Sequence, residues 1–343
     1  MLEYKNIKSL KGIFKILKIL NLFTKLLHFF PAELSHSIAL LGIKLITSLG
    51  FTIKQLRIGK EIQILNYKFT NSLGLAAGLD KNGDYIDSFA ALGFGFLEIG
   101  TVTPRPQYGN QKPRLYRDKV SKAIINRMGF NNKGVDHLVK KLSKRKSDIP
   151  IGVSIGKNFD TPNNLAEKDY LYCLEKVFEL ADYIAINISS PNTQDLRKFE
   201  IQDELTSLLE SLKKRQLELS KEFGYTPLFL KISPDNDQKG IEEICEALLS
   251  FSIDGLICTN TTIGHRHFSG SGGLSGTPLM GPSTKTLKIA RNILGDQFPI
   301  IASGGVMSKK DYLNKINTGA DLVQIYTGLI YEGPQLIDDI LNK

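Results

Sequence analysis

Ile184-Ala185-Ile186-Asn187-Ile188-Ser189-Ser190-Pro191-Asn192-Thr193 is the stretch whose reading decides the fold. An apolar run delivers the end of a strand into a cluster of amides and hydroxyls without a charge, and Pro191 fixes the turn after Ser190. Alone, such a cluster reads as a turn whose side chains satisfy the local backbone. Seven further apolar runs end in comparable clusters: Leu73 to Ala77, Phe94 to Ile99, Ile151 to Ile155, Leu228 to Ile232, Gly255 to Cys258, Pro299 to Ala302 and Leu322 to Tyr326. Helix-length segments lie between them, among them Tyr85 to Leu92, Leu165 to Ala181, Asp203 to Phe223, Ile241 to Phe251 and Asp311 to Asn317. Eight strand-and-helix units without a Gly/Ser/Pro linker predict an α/β chain closed into a (β/α)8 TIM barrel. The barrel is expected over residues 49–343, opened by a short hairpin from Ile58 to Phe69 with Gly59-Lys60 and Asn66-Tyr67 as turns.

Working residues of such barrels gather at the C-terminal strand ends. Those ends read Ala76-Ala77-Gly78-Leu79-Asp80-Lys81, Gly100-Thr101, Gly156-Lys157-Asn158, Asn187 to Thr193, Lys231-Ile232-Ser233, Thr259-Asn260-Thr261, Ser303-Gly304-Gly305 and Tyr326-Thr327-Gly328. Asparagine offers a donor and an acceptor together, which suits a planar amide or imide ring. Glycines after the sixth, seventh and eighth strands, with Gly272-Gly273-Leu274-Ser275-Gly276, allow backbone N–H groups to approach a phosphate. Gly93-Phe94-Gly95 lacks the third glycine of a dinucleotide fingerprint, and Gly152 to Lys157 is one residue short of a P-loop. A phosphate would therefore be held barrel-fashion.

The net charge of +9 is unevenly placed. Residues 1–60 carry nine lysines and Arg57 against Glu3 and Glu33, whereas the other 283 residues carry 34 basic and 33 acidic side chains. A nucleic-acid binder more often spreads positive charge over its working face, so that class loses ground. Cys173, Cys245 and Cys258 are odd in number and widely spaced, which argues against a disulfide framework, a zinc site or an iron–sulfur cluster and for a reducing compartment. His265 and His267 have no third ligand nearby, and no metal site is expected.

Residues 1–48 are expected to form a two-helix extension. Lys8, Lys11, Lys15, Lys18 and Lys25 recur on one helical face and Ile7, Leu10, Phe14, Leu17 and Leu20 on another, and a second helical pattern runs from Leu34 to Ile46. Lysines interrupt the first of these helices, and no uncharged apolar stretch approaches the ~18 residues of a bilayer crossing. Docking on the body is one reading. The other is reversible attachment to an anionic membrane surface, to which each lysine adds about 1 kcal/mol before screening.

Ala76-Ala-Gly-Leu-Asp-Lys81, Glu98-Ile-Gly-Thr-Val-Thr-Pro-Arg-Pro-Gln107, Asn126-Arg-Met-Gly-Phe-Asn-Asn132, Asn187 to Thr193 and Gly272 to Gly276, occurring in this order, resemble dihydroorotate dehydrogenase of the membrane-associated, quinone-dependent class. The resemblance spans roughly Pro31 to the C-terminus. It implies FMN as the phosphate-bearing ligand, oxidation of dihydroorotate to orotate in pyrimidine synthesis, and a membrane quinone as electron acceptor. It also implies peripheral attachment to the cytoplasmic face of a bacterial membrane and no iron–sulfur partner subunit.

Residue by residue, the resemblance implies a flavin site of Ala77, Gly78, Leu79, Asp80, Lys81, Thr101, Asn158, Asn187, Lys231, Thr259, Gly276, Gly305, Tyr326 and Thr327. The Lys231 ammonium would stabilise negative charge on the reduced ring; a lysine ending a barrel strand can equally pair with a carboxylate, and the nearest acid after it in sequence is Asp235. Lys81, Asn126, Arg127, Met128, Gly129, Phe130, Asn187, Asn192, Asn260 and Thr261 would surround the substrate, and Ser190 would be the base for its C5 proton. Soluble relatives place cysteine at that position. His36, Arg117 and Tyr326 match positions lining the quinone entrance. Gln194-Asp195 departs from the usual Pro-Gly of relatives, leaving the loop's behaviour as a lid open. Two other readings remain: a soluble FMN-dependent dihydroorotate or dihydropyrimidine oxidoreductase with a different acceptor, and a colourless phosphate- or RNA-binding barrel, suggested only by the isoelectric point near 9.2.

Overall fold

The computed structural model describes residues 20–50, 60–193, 196–200, 202–264 and 272–342. The expected helix before residue 20, Gly59, the Gln194-Asp195 pair and the two histidines at 265 and 267 lie outside the described residues. Eight parallel strands close into a barrel: β3 (Leu73–Leu75), β4 (Phe96–Val102), β7 (Ile151–Ile155), β8 (Tyr183–Asn187), β9 (Leu228–Ile232), β10 (Gly255–Cys258), β12 (Ile300–Ser303) and β13 (Leu322–Ile325), which pairs back onto β3. Most of these strands are short runs of Leu, Ile and Val buried along their whole length, as parallel strands covered on both faces must be. Burying each of those side chains contributes about 1.5–3 kcal/mol, so the closed ring rather than any single helix carries the fold.

The N-terminal end of the barrel is plugged by rings. Phe69, Phe96, Tyr183 and Phe229 pack with Ile257, Ile301 and Leu322. The backbone leaves room for them: a Cβ on Gly152 would sit 2.0 Å from the Tyr183 ring, and one on Gly255 would sit 2.1 Å from Phe229. Phe69 comes from the hairpin of β1 (Ile62–Ile64) and β2 (Tyr67–Phe69), which covers this end. Its turn falls at residues 65–66, with Leu65 at φ 53°, one position earlier than the Asn66-Tyr67 turn read from the sequence. With one mouth sealed, the C-terminal mouth is left for ligands.

A third sheet, beyond the barrel and the hairpin, has no counterpart in the sequence reading. β5 (Leu115–Asp118), β6 (Ala123–Asn126) and β11 (Gly273–Gly276) form an antiparallel trio in which Leu115 faces Asn126 and Asn126 faces Gly273. The helix Ala32–Ser48 packs on β5 and on the helix Ile86–Ala90. Hydrogen bonds fasten it and the helical residues 20–27 before it. Ser35 Oγ donates to the Leu27 carbonyl at 2.6 Å, Thr47 Oγ1 meets Ser88 Oγ at 2.9 Å, and His28 Nε2 lies 2.9 Å from the Ile330 carbonyl. The outer side keeps Leu22, Leu26, Phe29, Leu34, Leu41 and Leu45 exposed. Among the described residues, no helix is long and apolar enough to cross a membrane.

Candidate active site

A polar cavity opens at the C-terminal strand ends. It is lined by Ala77, Gly78, Lys81, Thr101, Asn126, Met128, Gly129, Phe130, Asn187, Ser190, Asn192, Lys231, Thr259, Asn260, Thr261, Gly276, Gly305, Tyr326 and Thr327, which are most of the residues singled out from the sequence. It is also lined by Ala76, Ser275, Ser303, Gly304 and Gly328, which belong to the strand-end and glycine runs read from the sequence, and by Leu279, Val306, Met307, Gln324 and Ile325, which were not singled out there. Leu79, Asp80, Arg127 and Asn158 do not reach this lining. Leu79 faces a second cavity, and Asn158 is spent on the chain itself, its Nδ2 donating to Thr103, Arg105 and Gln107. The Arg127 guanidinium turns outward to the Pro113 carbonyl and the Tyr116 ring.

The asparagines are fixed in two hydrogen-bonded groups. Asn187 Nδ2 donates to Thr101 Oγ1 at 2.8 Å, Asn260 Nδ2 donates to Asn187 Oδ1 at 3.2 Å, and Asn192 Nδ2 donates to Asn126 Oδ1 at 3.0 Å. Each amide is thereby held in one orientation, the preorganisation that reading a planar polar ring requires. Ser190 is buried in the same loop, and its hydroxyl accepts the Asn192 N–H at 3.3 Å while donating to nothing among the described residues. Arg197, which sequence reading passed over, clamps this loop: its Nε donates to the Ser189 carbonyl at 3.1 Å, Nη2 to the Thr261 carbonyl at 2.9 Å, and Nη1 to Asp235 at 2.6 Å.

Asp80 organises the turn that presents Lys81. Its carboxylate accepts the backbone N–H groups of Asn82, Asp84 and Tyr85, and burial pushes its pKa up to about 6 against those bonds. Lys81 makes no hydrogen bond or ion pair among the described residues. Burial, and then the nearby Arg114 guanidinium, push its ammonium down to about 8, with Glu33 opposing them. A desolvated cation without a partner, between amides, is the complement of a carboxylate ligand. Glu33 reaches this region from the helix Ala32–Ser48, where Arg114 Nη2 donates to it at 2.8 Å.

Below the cavity the barrel interior holds an ion pair. Lys231 Nζ lies 2.9 Å from Glu98 Oε1, and Glu98 Oε2 accepts from Gln324 Nε2 at 2.6 Å and from the Tyr183 hydroxyl at 3.3 Å. So the lysine that lacked an acid nearby in sequence has one 133 positions away. A lone acid inside Phe96-Leu97-Glu98-Ile99 and a lone lysine inside Leu228-Phe-Leu-Lys231-Ile are the signals that could have found it, since buried charges demand partners. Gln324 Oε1 is buried without a hydrogen-bond partner among the described residues, and Gln324 belongs to the cavity lining.

At the opposite end of the cavity, Gly276, Gly304 and Gly305 have φ of 93°, 112° and 83°, and a Cβ on Gly305 would sit 2.3 Å from Met280 Cα. This is a backbone cradle that only glycine can line.

A second cavity is apolar. It lies between the N-terminal helices and the barrel, lined by Phe23, Leu27, Ala39, Leu40, Ile43, Leu79, Leu115, Ile124, Leu329 and Ile330, with His36, Arg117 and Tyr326 as its polar edge. Burial pushes the His36 pKa down to about 4 and that of the Tyr326 hydroxyl up to about 12, so both are neutral near pH 7. Arg117 donates to the carbonyls of Leu27 and Phe30 and thereby holds the helical corner over the cavity. Tyr326 lines both cavities and is the wall between them.

The model of the family described as dihydroorotate dehydrogenase matches residues 60–343. The chain belongs to the dihydroorotate dehydrogenase family. It is 48% identical over 321 residues to a protein of Aliivibrio salmonicida named dihydroorotate dehydrogenase (quinone), covering 91% of this chain and 96% of that one. It is 50% identical over 317 residues to the protein of the same name from Acinetobacter baylyi, covering 90% and 95%. Among solved structures it resembles DHODH from Eimeria tenella in complex with ferulenol, with a TM-score of 0.83, 35% identity and coverage of 90% and 89%. The dihydroorotate dehydrogenase family is flavin-dependent, and a polar cavity with a glycine cradle at one end and a fixed cation at the other fits that chemistry.

Proposed function

We propose that this chain oxidises dihydroorotate to orotate in the polar cavity, with FMN as its flavin, and delivers the electrons to a quinone in the apolar cavity, a step of pyrimidine biosynthesis. The observation that carries this reading is that one side chain, Tyr326, lines both cavities, so that a flavin held in the polar one would be within reach of substrate there and of an apolar acceptor in the other. The backbone of Gly276, Gly305 and Thr327 would hold the flavin phosphate, and Ala77, Gly78, Thr101, Asn187, Lys231 and Thr259 its ring system. The orphaned oxygen of Gln324 adds an acceptor for a ring N–H. Bound there, the flavin would supply the acceptor for the hydride that leaves the substrate's C6.

The protein's own residues do the rest. Lys81 pairs with the substrate carboxylate, and Asn126, Asn187, Asn192 and Asn260 with Thr261 hold the ring's amide and imide edges. Ser190 Oγ takes the C5 proton, and its own proton must move onward because a neutral hydroxyl is a weak base. Lys231, anchored by Glu98, keeps positive charge where electrons accumulate. The exposed Leu22, Leu26, Phe29, Leu41 and Leu45, on the N-terminal segment that also lines the apolar cavity, support peripheral attachment to a membrane surface from which a lipid-soluble quinone can enter.

The test is the visible spectrum. Purified protein is expected to be yellow, to bleach with dihydroorotate without oxygen, and to recover its colour on adding a short-tailed quinone. A colourless protein refutes the flavin reading. Bleaching that is reversed only by soluble acceptors supports the soluble-enzyme alternative instead.

A further inference from the structure

Behind the glycine cradle sits a cation that the reaction does not use. Lys315, in the helix Lys309–Asn317, is fully buried. Its Nζ donates to Ser283 Oγ at 2.6 Å and to Thr284 Oγ1 at 2.8 Å, both in the first turn of the helix Met280–Leu294. Those hydroxyls donate onward to carbonyls: the single Ser283 proton lies between the Leu279 carbonyl at 2.7 Å and the Gly304 carbonyl at 3.0 Å, and Thr284 donates to Met280 at 2.7 Å. Each therefore has a lone pair to accept from the lysine, and the Gly304 carbonyl ties the assembly to the cradle itself.

No carboxylate lies within ion-pair distance of Lys315 among the described residues. The charged or titratable groups that face it are Asp311 on its own helix and Cys258 on β10, with Arg291 on the Met280–Leu294 helix facing that thiol. Burial pushes its ammonium down to about 8. The adjoining helix N-terminus adds positive potential rather than relieving it. A buried cation left without a counter-ion is strongly unfavourable, so the fold makes sense if an anion arrives on the other side of Gly304-Gly305.

We propose that Lys315 is the buried counter-charge of the flavin phosphate, acting through Ser283 and the Gly304 backbone without touching the ligand. Lys315 is a positioning residue in this role, and the proposal rests on the FMN reading of the cavity. It separates FMN from riboflavin, which has the same ring system but no phosphate. A dianion held several ångströms from a fixed charge in a partly desolvated site gains roughly ten- to a hundredfold in affinity.

The experiment measures dissociation constants of FMN and of riboflavin for the full chain, by flavin fluorescence at low and high salt, in wild type, Lys315→Met and Lys315→Arg. Lys315→Met is expected to bind FMN about ten- to a hundredfold more weakly with its salt dependence reduced, and to bind riboflavin as wild type does; Lys315→Arg stays close to wild type. Equal loss of both flavins, or no loss of either, overturns the proposal, because a purely structural lysine does not discriminate on phosphate. A second measurement needs no variant. At about pH 8.5, calorimetry of wild type in two buffers of different ionisation enthalpy should show proton uptake with FMN and none with riboflavin, since a neighbouring dianion raises the lysine's pKa; the same proton count for both flavins overturns the proposal. A wild type that binds neither flavin refutes the FMN reading itself and this inference with it, whereas FMN binding with a negative Lys315 result refutes the inference alone.

Discussion

Replacing Lys231 by methionine leaves the fully buried Glu98 carboxylate with only Gln324 Nε2, at 2.6 Å, and the Tyr183 hydroxyl, at 3.3 Å, as donors. Removing one partner of a buried pair costs about 3–5 kcal/mol, mostly through the charge left behind. The two remaining donors recover part of this, so the lower end, about 3 kcal/mol, is expected. Replacing both residues, Glu98→Gln with Lys231→Met, removes the orphaned charge and keeps an oxygen for Gln324, which should return about 2 kcal/mol of that loss. At roughly 2 °C per kcal/mol for a chain of this size, Lys231→Met should melt about 6 °C below wild type and the double variant only about 2 °C below it. Thermal melts followed by circular dichroism on flavin-free protein read this directly, because lost cofactor affinity then adds nothing. Flavin reduction by dihydroorotate should be impaired in both variants, since neither has an ammonium at that strand end. A double variant whose destabilisation equals the sum of the two single variants would refute the reasoning.

Ser190→Ala should retain FMN and slow flavin reduction by dihydroorotate by about 10²–10⁴, read by anaerobic stopped flow, and a near-normal rate would remove Ser190 from the role of base. Lys81 carries its charge below a pKa of about 8 and loses it above, so orotate affinity should fall as pH rises through that value. Lys81→Met should bind orotate weakly at every pH, and a flat wild-type profile would break the pairing with the substrate carboxylate. Deleting residues through Ser48 should leave a flavin that dihydroorotate still reduces, while quinone turnover collapses with the loss of His36 and the cavity wall. The KM for dihydroorotate should rise as well, because Glu33 is no longer present to oppose Arg114 at Lys81, and unchanged quinone turnover would make the helices structural only.

The barrel was legible because each of its strands is a local apolar run closed by a polar end, and Ile151–Ile155, Leu228–Ile232 and Gly255–Cys258 fall where the sequence reading put them. The trio of β5, β6 and β11 was not. Its strands are four residues each, and the pairing of Asn126 with Gly273 joins segments far apart in the chain, which no local pattern announces. The same holds for Glu98 with Lys231 and for Lys315, whose surroundings in sequence, Asn314-Lys315-Ile316-Asn317, read as a solvated helix face. The motif residues of the cavity were recognisable through a family pattern, but that pattern does not separate residues that face the ligand from those that shape the loop. Asp80 stands inside its motif and Asn158 at the end of its strand, and both spend polar atoms on backbone and neighbouring side chains.

The sheet formed by β5, β6 and β11 also bears on how the protein could evade an inhibitor lodged in the apolar cavity. Leu115 and Ile124 line that cavity, and the same small sheet carries Asn126, Ser275 and Gly276 on the polar one. Escape substitutions at Leu115 or Ile124 would disturb strands that also present substrate and flavin contacts, so resistance gained there should come with poorer growth when pyrimidines must be made from precursors. Ala39, Gly42, Ile43 and Ile46 face the same cavity from a helix that bears no residue of the polar one. Resistant lineages should therefore accumulate their changes on that helix, and a compound that takes its main contacts from the sheet side should be the harder one to escape.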